Sequence, residues 1–260
     1  MPFVSLIEKI FFSNFHGWGS LNNSVFSQGP VWFMKTGIAS ADLNMAWSEK
    51  PLTANEAEVV GRVKDEYLRW GLPFWWWVFP SARPGHTQDI LLAAGLDLIK
   101  SLPCMLADLS SLPEEPARAV PLNVLCVSNE RELDLWEAVS FSGFEFTPDT
   151  KQQFHRFVRS FGLSENSSYK LLLGLLGKTA VATSLLFMQE DACGIYFLTT
   201  IADKRKKGIG LAMTQAVMRE AKKYGARFAV LQSSPDGYRV YRRAGFEQQC
   251  QVEVYGLQDA

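Results

Sequence analysis

Apolar and polar positions change period along the chain, and the period assigns the elements. Phe3, Leu6, Ile7, Ile10, Phe11 and Phe15 recur at i, i+3, i+4 spacing around Glu8 and Lys9, which predicts an amphipathic helix. VWFMKTG and ADLNMAW read as strands, ANEAEVVGRVKDEYLRW as a helix, PFWWWVFP as a buried strand and TQDILLAAG as a helix closed by Gly95. Pro113, Pro116 and Pro121 then interrupt both periods in SLPEEPARAVP. Residues 1–112 are therefore expected to form one domain, 113–121 a Pro-rich linker and 122–260 a second domain. Beyond the linker, LNVLCV, YKLLLGLL, TAVATSLLFM and CGIYFLTTI read as strands, with helical stretches at 129–142 and 150–160. A well-defined helix opens at Gly208, with Ile209, Ala212, Met213, Ala216, Val217, Ala221 and Tyr224 on its apolar face, and stops at Gly225. FAVLQ follows as a strand, Ser234 and Pro235 start a helix that ends at Gly245, and a last strand follows. Both halves mix strands with helices, so the fold class is α/β.

A repeat becomes visible when the halves are aligned. Trp70-Gly71, the WWWV strand, a helix and Ala94-Gly95-Leu96 match Tyr224-Gly225, the FAVL strand, a helix and Ala244-Gly245-Phe246. The glycines are 24 residues apart in the first half and 20 in the second, so the match needs an insertion, placed in SARPGH. Counting back from Gly71 puts Ala54 and Glu56 where the second half has Gly208 and Gly210. Thr53 and Glu56 there form a capping box, and a carboxylate occupies the place an anion would need.

Composition narrows the function classes. With 47% apolar residues over 260 the chain builds a real core, and 26 basic against 27 acidic residues leave a net charge of -1. No global field draws it to nucleic acid or an anionic membrane, so any basic patch acts locally. Cys104, Cys126, Cys193 and Cys250 are far apart, without a C-x-x-C pair or histidines at ligand spacing, and are expected as reduced core thiols with no metal site. The opening MPFVSLIEKIFFSNF lacks the basic start and unbroken apolar run of an export signal, and no stretch is long enough to span a bilayer, so a cytoplasmic protein is expected.

The chemistry gathers at TTIADKRKKGIGLAM, where Lys204, Arg205, Lys206 and Lys207 run into Gly208-Ile209-Gly210. A strand entering a glycine turn and a helix start leaves several backbone N–H groups unpaired and pointing one way, which is an anion site. A P-loop would need Gly-Lys-Ser/Thr, whereas Leu211 and Ala212 follow Gly210. A dinucleotide fingerprint would need a small residue where Met213 stands. An import signal would require an accessible segment, but this one is held between a buried strand and an amphipathic helix. A plain solvated turn is the alternative to an anion site.

The R-x-x-G-x-G of Arg205 to Gly210, followed 31 residues later by Tyr241-Arg-Arg-Ala-Gly245-Phe246, resembles the GNAT superfamily of acyl-CoA-dependent N-acyltransferases. The resemblance covers residues 122–255 and implies a central mixed sheet flanked by helices, with residues 1–112 a degenerate copy of the same fold. It implies acetyl-CoA as acyl donor, its pyrophosphate on Arg205, Lys206, Lys207, Gly208, Ile209 and Gly210, and its pantetheine arm along the strand that carries Thr199, Thr200 and Ile201. Backbone N–H groups of Thr199 to Ile201 would then serve the thioester carbonyl. Ser234 stands where the family usually has asparagine, which changes a polar contact to the cofactor but keeps the helix cap. Tyr241 is the candidate acid for the departing sulfur, although Tyr238 and Tyr241 at i, i+3 would also cover a sheet face. The expected reaction is direct attack of an amine, of a small molecule or a peptide, on the thioester in a ternary complex. A non-catalytic acyl-CoA sensor or scaffold is the alternative. The acceptor, the general base (one of Glu145, Asp149, His155, Glu190 and Asp191, or equally a water chain), the acyl chain and the oligomeric state stay open. Trp75, Trp76 and Trp77 read either as an aromatic pocket or as core packing.

Overall fold

A computed structural model describes residues 2–112 and 120–257. The proline-rich linker falls, over 113–119, outside the described residues. The chain divides into two compact units that interleave in sequence. Unit 1 holds residues 1–104, 147–157 and 250–260, and unit 2 holds 105–146 and 158–249.

Unit 1 begins with α1 (Pro2–Asn22), whose Ile7, Ile10, Phe11 and Phe15 are buried. Phe11 lies 4.2 Å from Phe79 and 5.2 Å from Trp77, ring centre to ring centre, so the apolar face packs on its own unit. The helix runs past Gly19, where a Cβ would meet Val25 at 2.2 Å; this glycine permits a close approach and does not end the helix. Strands β1 (Val25–Gln28), β2 (Val31–Lys35) and β3 (Asn44–Ser48) pair antiparallel, and β4 (Trp75–Val78) runs parallel to β3. Between β3 and β4 lies α2 (Ala57–Trp70), preceded by the Thr53–Glu56 capping box. Trp76 and Trp77 are buried and Lys100 Nζ sits 3.3 Å over the Trp75 ring, so the tryptophan run serves packing.

The next two elements are α3 (Thr87–Ala93) and β5 (Asp97–Asp108), a strand the periodicity does not mark. Gly71 and Gly95 both take the left-handed backbone that the helix ends require.

Unit 2 carries β6 (Leu122–Cys126), α4 (Glu130–Gly143), β7 (Tyr169–Leu176), β8 (Thr179–Gln189) and β9 (Ala192–Thr200), the four strands pairing antiparallel in sequence order. Between α4 and β7 runs α5 (Lys151–Ser160), divided between the units. Then come α6 (Ile209–Lys223), β10 (Phe228–Gln232) parallel to β9, α7 (Pro235–Ala244) and β11 (Glu247–Gly256). Ile209, Met213, Val217 and Ala221 of α6 pack with Val181, Cys193 and Ile195 of the sheet, as the 3.6-residue period requires. The strand after Gly95 ends in unit 2, and the strand after Gly245 ends in unit 1 against β4, with Val254 opposite Trp77. The order helix, strand, helix, strand thus recurs in α2–β5 and α6–β11.

Candidate active site

The parallel pairing of β9 and β10 is confined to Ala192–Gly194 against Phe228–Val230. Further along β9 the register against β8 slips between Thr183 and Leu185, because Phe197 takes a left-handed backbone at φ 49° and adds one residue to β9. Such a bulge twists its strand and ends regular pairing, which opens the edge of β9 beyond Gly194. A Cβ at Gly194 would lie 2.5 Å from the Tyr196 ring, so a side chain there would displace that ring.

Thr199, Thr200 and Ile201 occupy this opened stretch. Successive N–H groups of an antiparallel strand alternate between its two sides. Ile201 N–H donates to the Val181 carbonyl at 3.0 Å, toward β8, and Thr199 shares that direction. The Thr200 N–H is the one of the three that turns away from β8. Thr199 acts through its side chain instead, its Oγ1 donating to the Gly143 carbonyl at 3.1 Å.

The basic run follows. Arg205 donates from Nε to the Thr200 carbonyl at 2.9 Å, from Nη1 to Glu145 at 3.1 Å and from Nη2 to the Gly143 carbonyl at 2.6 Å. Its fork closes the C-terminal end of α4 and holds it to β9. Lys204 pairs with Asp203 at 2.9 Å and Lys207 Nζ donates to the Asp203 carbonyl at 3.0 Å. Lys206, exposed at φ 60°, has no hydrogen bond or ion pair among the described residues and is the cation left at the turn.

Gly208 stands before α6 at φ 81° with no side-chain cap. Ala212 N–H closes the first helical bond, to Gly208, at 3.1 Å. The N–H groups of Ile209, Gly210 and Leu211 therefore precede any intrahelical acceptor. A Cβ at Gly210 would meet only Val240, at 3.9 Å, so the protein itself does not demand glycine there. At the end of β10, Gln232 carries a buried amide nitrogen with no hydrogen-bond partner among the described residues. Periodicity passes over Gln232; its one signal is a polar residue closing the apolar FAVL run.

A GCN5-related N-acetyltransferase from Kribbella flavida matches with TM-score 0.70 and 18% identity over 92% of this chain and 91% of that one. This chain has the GNAT fold. A functionally unknown conserved protein from Staphylococcus epidermidis matches at TM-score 0.65 and 11% identity over 90% and 94% of the two chains. A GCN5-related N-acetyltransferase from Sphaerobacter thermophilus matches at 0.63 and 13% over 87% and 76%. No family model and no curated protein matches.

Within this GNAT fold, Ser234 caps α7 by accepting the Gly237 N–H at 3.1 Å, with Pro235 in the first turn. Tyr241 packs over Gly237, where a Cβ would lie 2.6 Å from its ring, and meets Phe246 at 5.9 Å. Burial pushes its phenol up to about 12, so it keeps its proton at neutral pH. Of the carboxylates considered as base, Glu145 is engaged by Arg205, and Glu190 and Asp191 lie in the turn that enters β9, at the end remote from Thr200. Asp149 and His155 belong to unit 1. Phe144, exposed, stacks on Phe146 and meets Phe197 edge-on at 5.6 Å, an aromatic wall that the periodicity does not single out. The open space at Gly210 and the free N–H groups at the start of α6 leave room and donors for an anionic group. Among the described residues no cluster of metal-ligating side chains occurs, and no helix is long and apolar enough to cross a membrane.

Proposed function

We propose that the protein transfers the acetyl group of acetyl-CoA to an amine. The observation that supports this best is the coincidence of an opened β9 edge with an uncapped helix start: pairing stops at Gly194 and Val230, and α6 begins with N–H groups that no side chain satisfies. Those of Ile209, Gly210 and Leu211 bind phosphate oxygens along the helix axis, and Lys206 adds charge at the rim. When bound, acetyl-CoA supplies the activated acyl group. Thr200 N–H, pointing away from β8, donates to the carbonyl oxygen as charge develops on it. Tyr241, protonated at neutral pH, holds the proton for the departing sulfur.

The amine attacks the thioester directly. Cys193, the cysteine of β9, is fully buried and its thiol is pushed up to about 12, which keeps it protonated and inert. The first half is read as a copy of the fold without the anion site, because Glu56 of the capping box stands where Gly210 stands in the second. The acceptor is the amine of a small molecule or peptide, and the compartment is the cytoplasm.

Calorimetric titration of acetyl-CoA into the protein, followed by an amine panel with free thiol as readout, tests the reading. Saturable binding with thiol release on addition of one amine class is expected. Tyr241→Phe should lower turnover by about 100-fold or more and leave acetyl-CoA affinity unchanged. A folded protein that does not bind acetyl-CoA overturns the proposal, and binding without transfer to any amine reduces it to an acyl-CoA sensor.

A further inference from the structure

Cys104 lies in β5 and Cys250 in β11, strands that are neighbours in the sheet, and both residues belong to unit 1. Successive side chains of a strand alternate between its faces, so Cys250 shares a face of β11 with the fully buried Val252 and Val254. Cys250 itself is half-buried, whereas Cys104 is fully buried. The two thiols meet there: the Cys104 S–H donates to the Cys250 sulfur, and the Val252 N–H reaches the Cys104 sulfur. The Leu102 carbonyl, 3.9 Å from Cys104 Sγ, is the other acceptor of that S–H. Two cysteines that stand far apart in the chain thus become a dithiol.

Within the pair Cys250 is the one that ionises. The hydrogen bond from Cys104 lowers its thiol pKa and Arg83 helps, against burial and the Glu8 carboxylate. Cys104 moves the other way, well above the ordinary thiol range, first through burial and then through that same hydrogen bond. Arg83 is held in place, its Nη2 donating to the Gln251 carbonyl and its Nε facing Glu253 at 3.3 Å, while Glu8 accepts the Ser81 N–H at 2.9 Å. The other two cysteines lack this partnership: burial raises Cys126 and pushes Cys193 up to about 12. Because the thiolate is the nucleophile, Cys250 is the reactive sulfur and Cys104 the second sulfur within its reach.

We propose that Cys104 and Cys250 form a redox modification site, which a hydroperoxide converts into a reversible disulfide between β5 and β11. The Cys250 thiolate attacks one peroxide oxygen. An S–O bond forms, the O–O bond breaks, and the second oxygen takes a proton from solvent and leaves as water, or as an alcohol from an organic hydroperoxide. Cys104 then attacks the sulfenic sulfur: the S–S bond forms, the S–O bond breaks, and the hydroxyl leaves as water with the Cys104 proton. Two thiols lose two electrons and one hydroperoxide gains them; a thiol reductant reverses the change by exchange. Every residue assigned to acyl transfer lies in unit 2, so the site stands apart from that reading.

The test is titration of the reduced full chain with hydrogen peroxide, read by a thiol count after denaturation, peptide mass mapping and a non-reducing gel. Wild type should pass from four free thiols to two and lose about 2 Da. The link should join the peptides of Cys104 and Cys250 within one chain, and dithiothreitol should restore all thiols. Cys250→Ala should lose thiols roughly tenfold more slowly or worse, since the cysteines it keeps are raised by burial. Cys104→Ser keeps a hydroxyl to donate to Cys250 but removes the second sulfur, so oxidation should stop at a sulfenic acid on Cys250 that dimedone traps. The mapping of wild type needs no variant and tests the pair even where a substitution at buried Cys104 fails to fold. Four thiols remaining in peroxide-treated wild type, a link through Cys126 or Cys193, a link between two chains, or thiol loss by Cys250→Ala at the wild-type rate would each overturn the proposal.

Discussion

Replacing Gly210 by glutamate separates folding from anion binding at the start of α6. The position is helical, and a Cβ there meets only Val240 at 3.9 Å, an ordinary contact. Exchanging glycine for glutamate in a helix gains roughly 0.5–0.8 kcal/mol in propensity. A carboxylate in the first turn adds roughly 0.3–1 kcal/mol from the helix dipole. The variant should therefore be more stable by about 1 kcal/mol, which for a chain of this size raises the melting temperature by about 2–4 °C. Binding should move the other way. The new carboxylate competes for the N–H groups of Ile209 to Leu211 and repels the diphosphate. Losing two charge-assisted hydrogen bonds at roughly 1.5–3 kcal/mol each weakens acetyl-CoA by about 100-fold or more. Scanning calorimetry and calorimetric titration on the same preparation read both quantities. A variant that melts several degrees lower would refute the open space inferred at Gly210. Unchanged affinity in a more stable variant would mean that these N–H groups serve only the helix start.

Three further outcomes are expected. Gly143→Ala drives a Cβ to 2.5 Å from the Thr199 methyl and 2.6 Å from its hydroxyl, so the urea midpoint should fall by an equivalent of about 1–3 kcal/mol, and an unshifted midpoint would contradict the packing of α4 on β9. Ser234→Ala removes the acceptor of the Gly237 N–H and should cost about 1 kcal/mol, whereas Ser234→Asn keeps a cap and should retain wild-type melting. Tyr241 holds its proton in the folded state to about 12, against 10.0 for an ordinary tyrosine, so its contribution is complete below pH 10 and is lost as pH rises through 12. Tyr241→Phe should accordingly lose less stability than wild type between those limits in urea titrations, and identical slopes would dispose of the buried phenol.

How far the site can be read from the chain depends on how local each part is. The start of α6 is legible because Gly208, the unpaired N–H groups and the following apolar face lie within one turn and the helix it begins. The Ser234 cap, the Thr53–Glu56 box and the glycine ends at 71, 95, 225 and 245 are legible for the same reason. The role of Arg205 is different. Its charge marks it as a phosphate ligand, yet its partners Gly143 and Glu145 lie 62 and 60 residues away, and only their arrival beside β9 shows that the guanidinium ties α4 down. Ile201 likewise belongs to the expected N–H set until β8 is placed beside it and Val181 takes its hydrogen bond.

By itself, then, the sequence determined the helices and most strands, their caps and the uncapped glycine turn before α6, because periodicity, capping and left-handed glycines act over a few residues. Tertiary structure decided that β5 ends in unit 2 and β11 in unit 1, that pairing between β9 and β10 stops at Gly194, and that the charged Lys170 is buried. Each of these depends on which strand or helix stands next to which, and neither strand pairing nor the burial of a charge is a property of the residues that flank it in the chain.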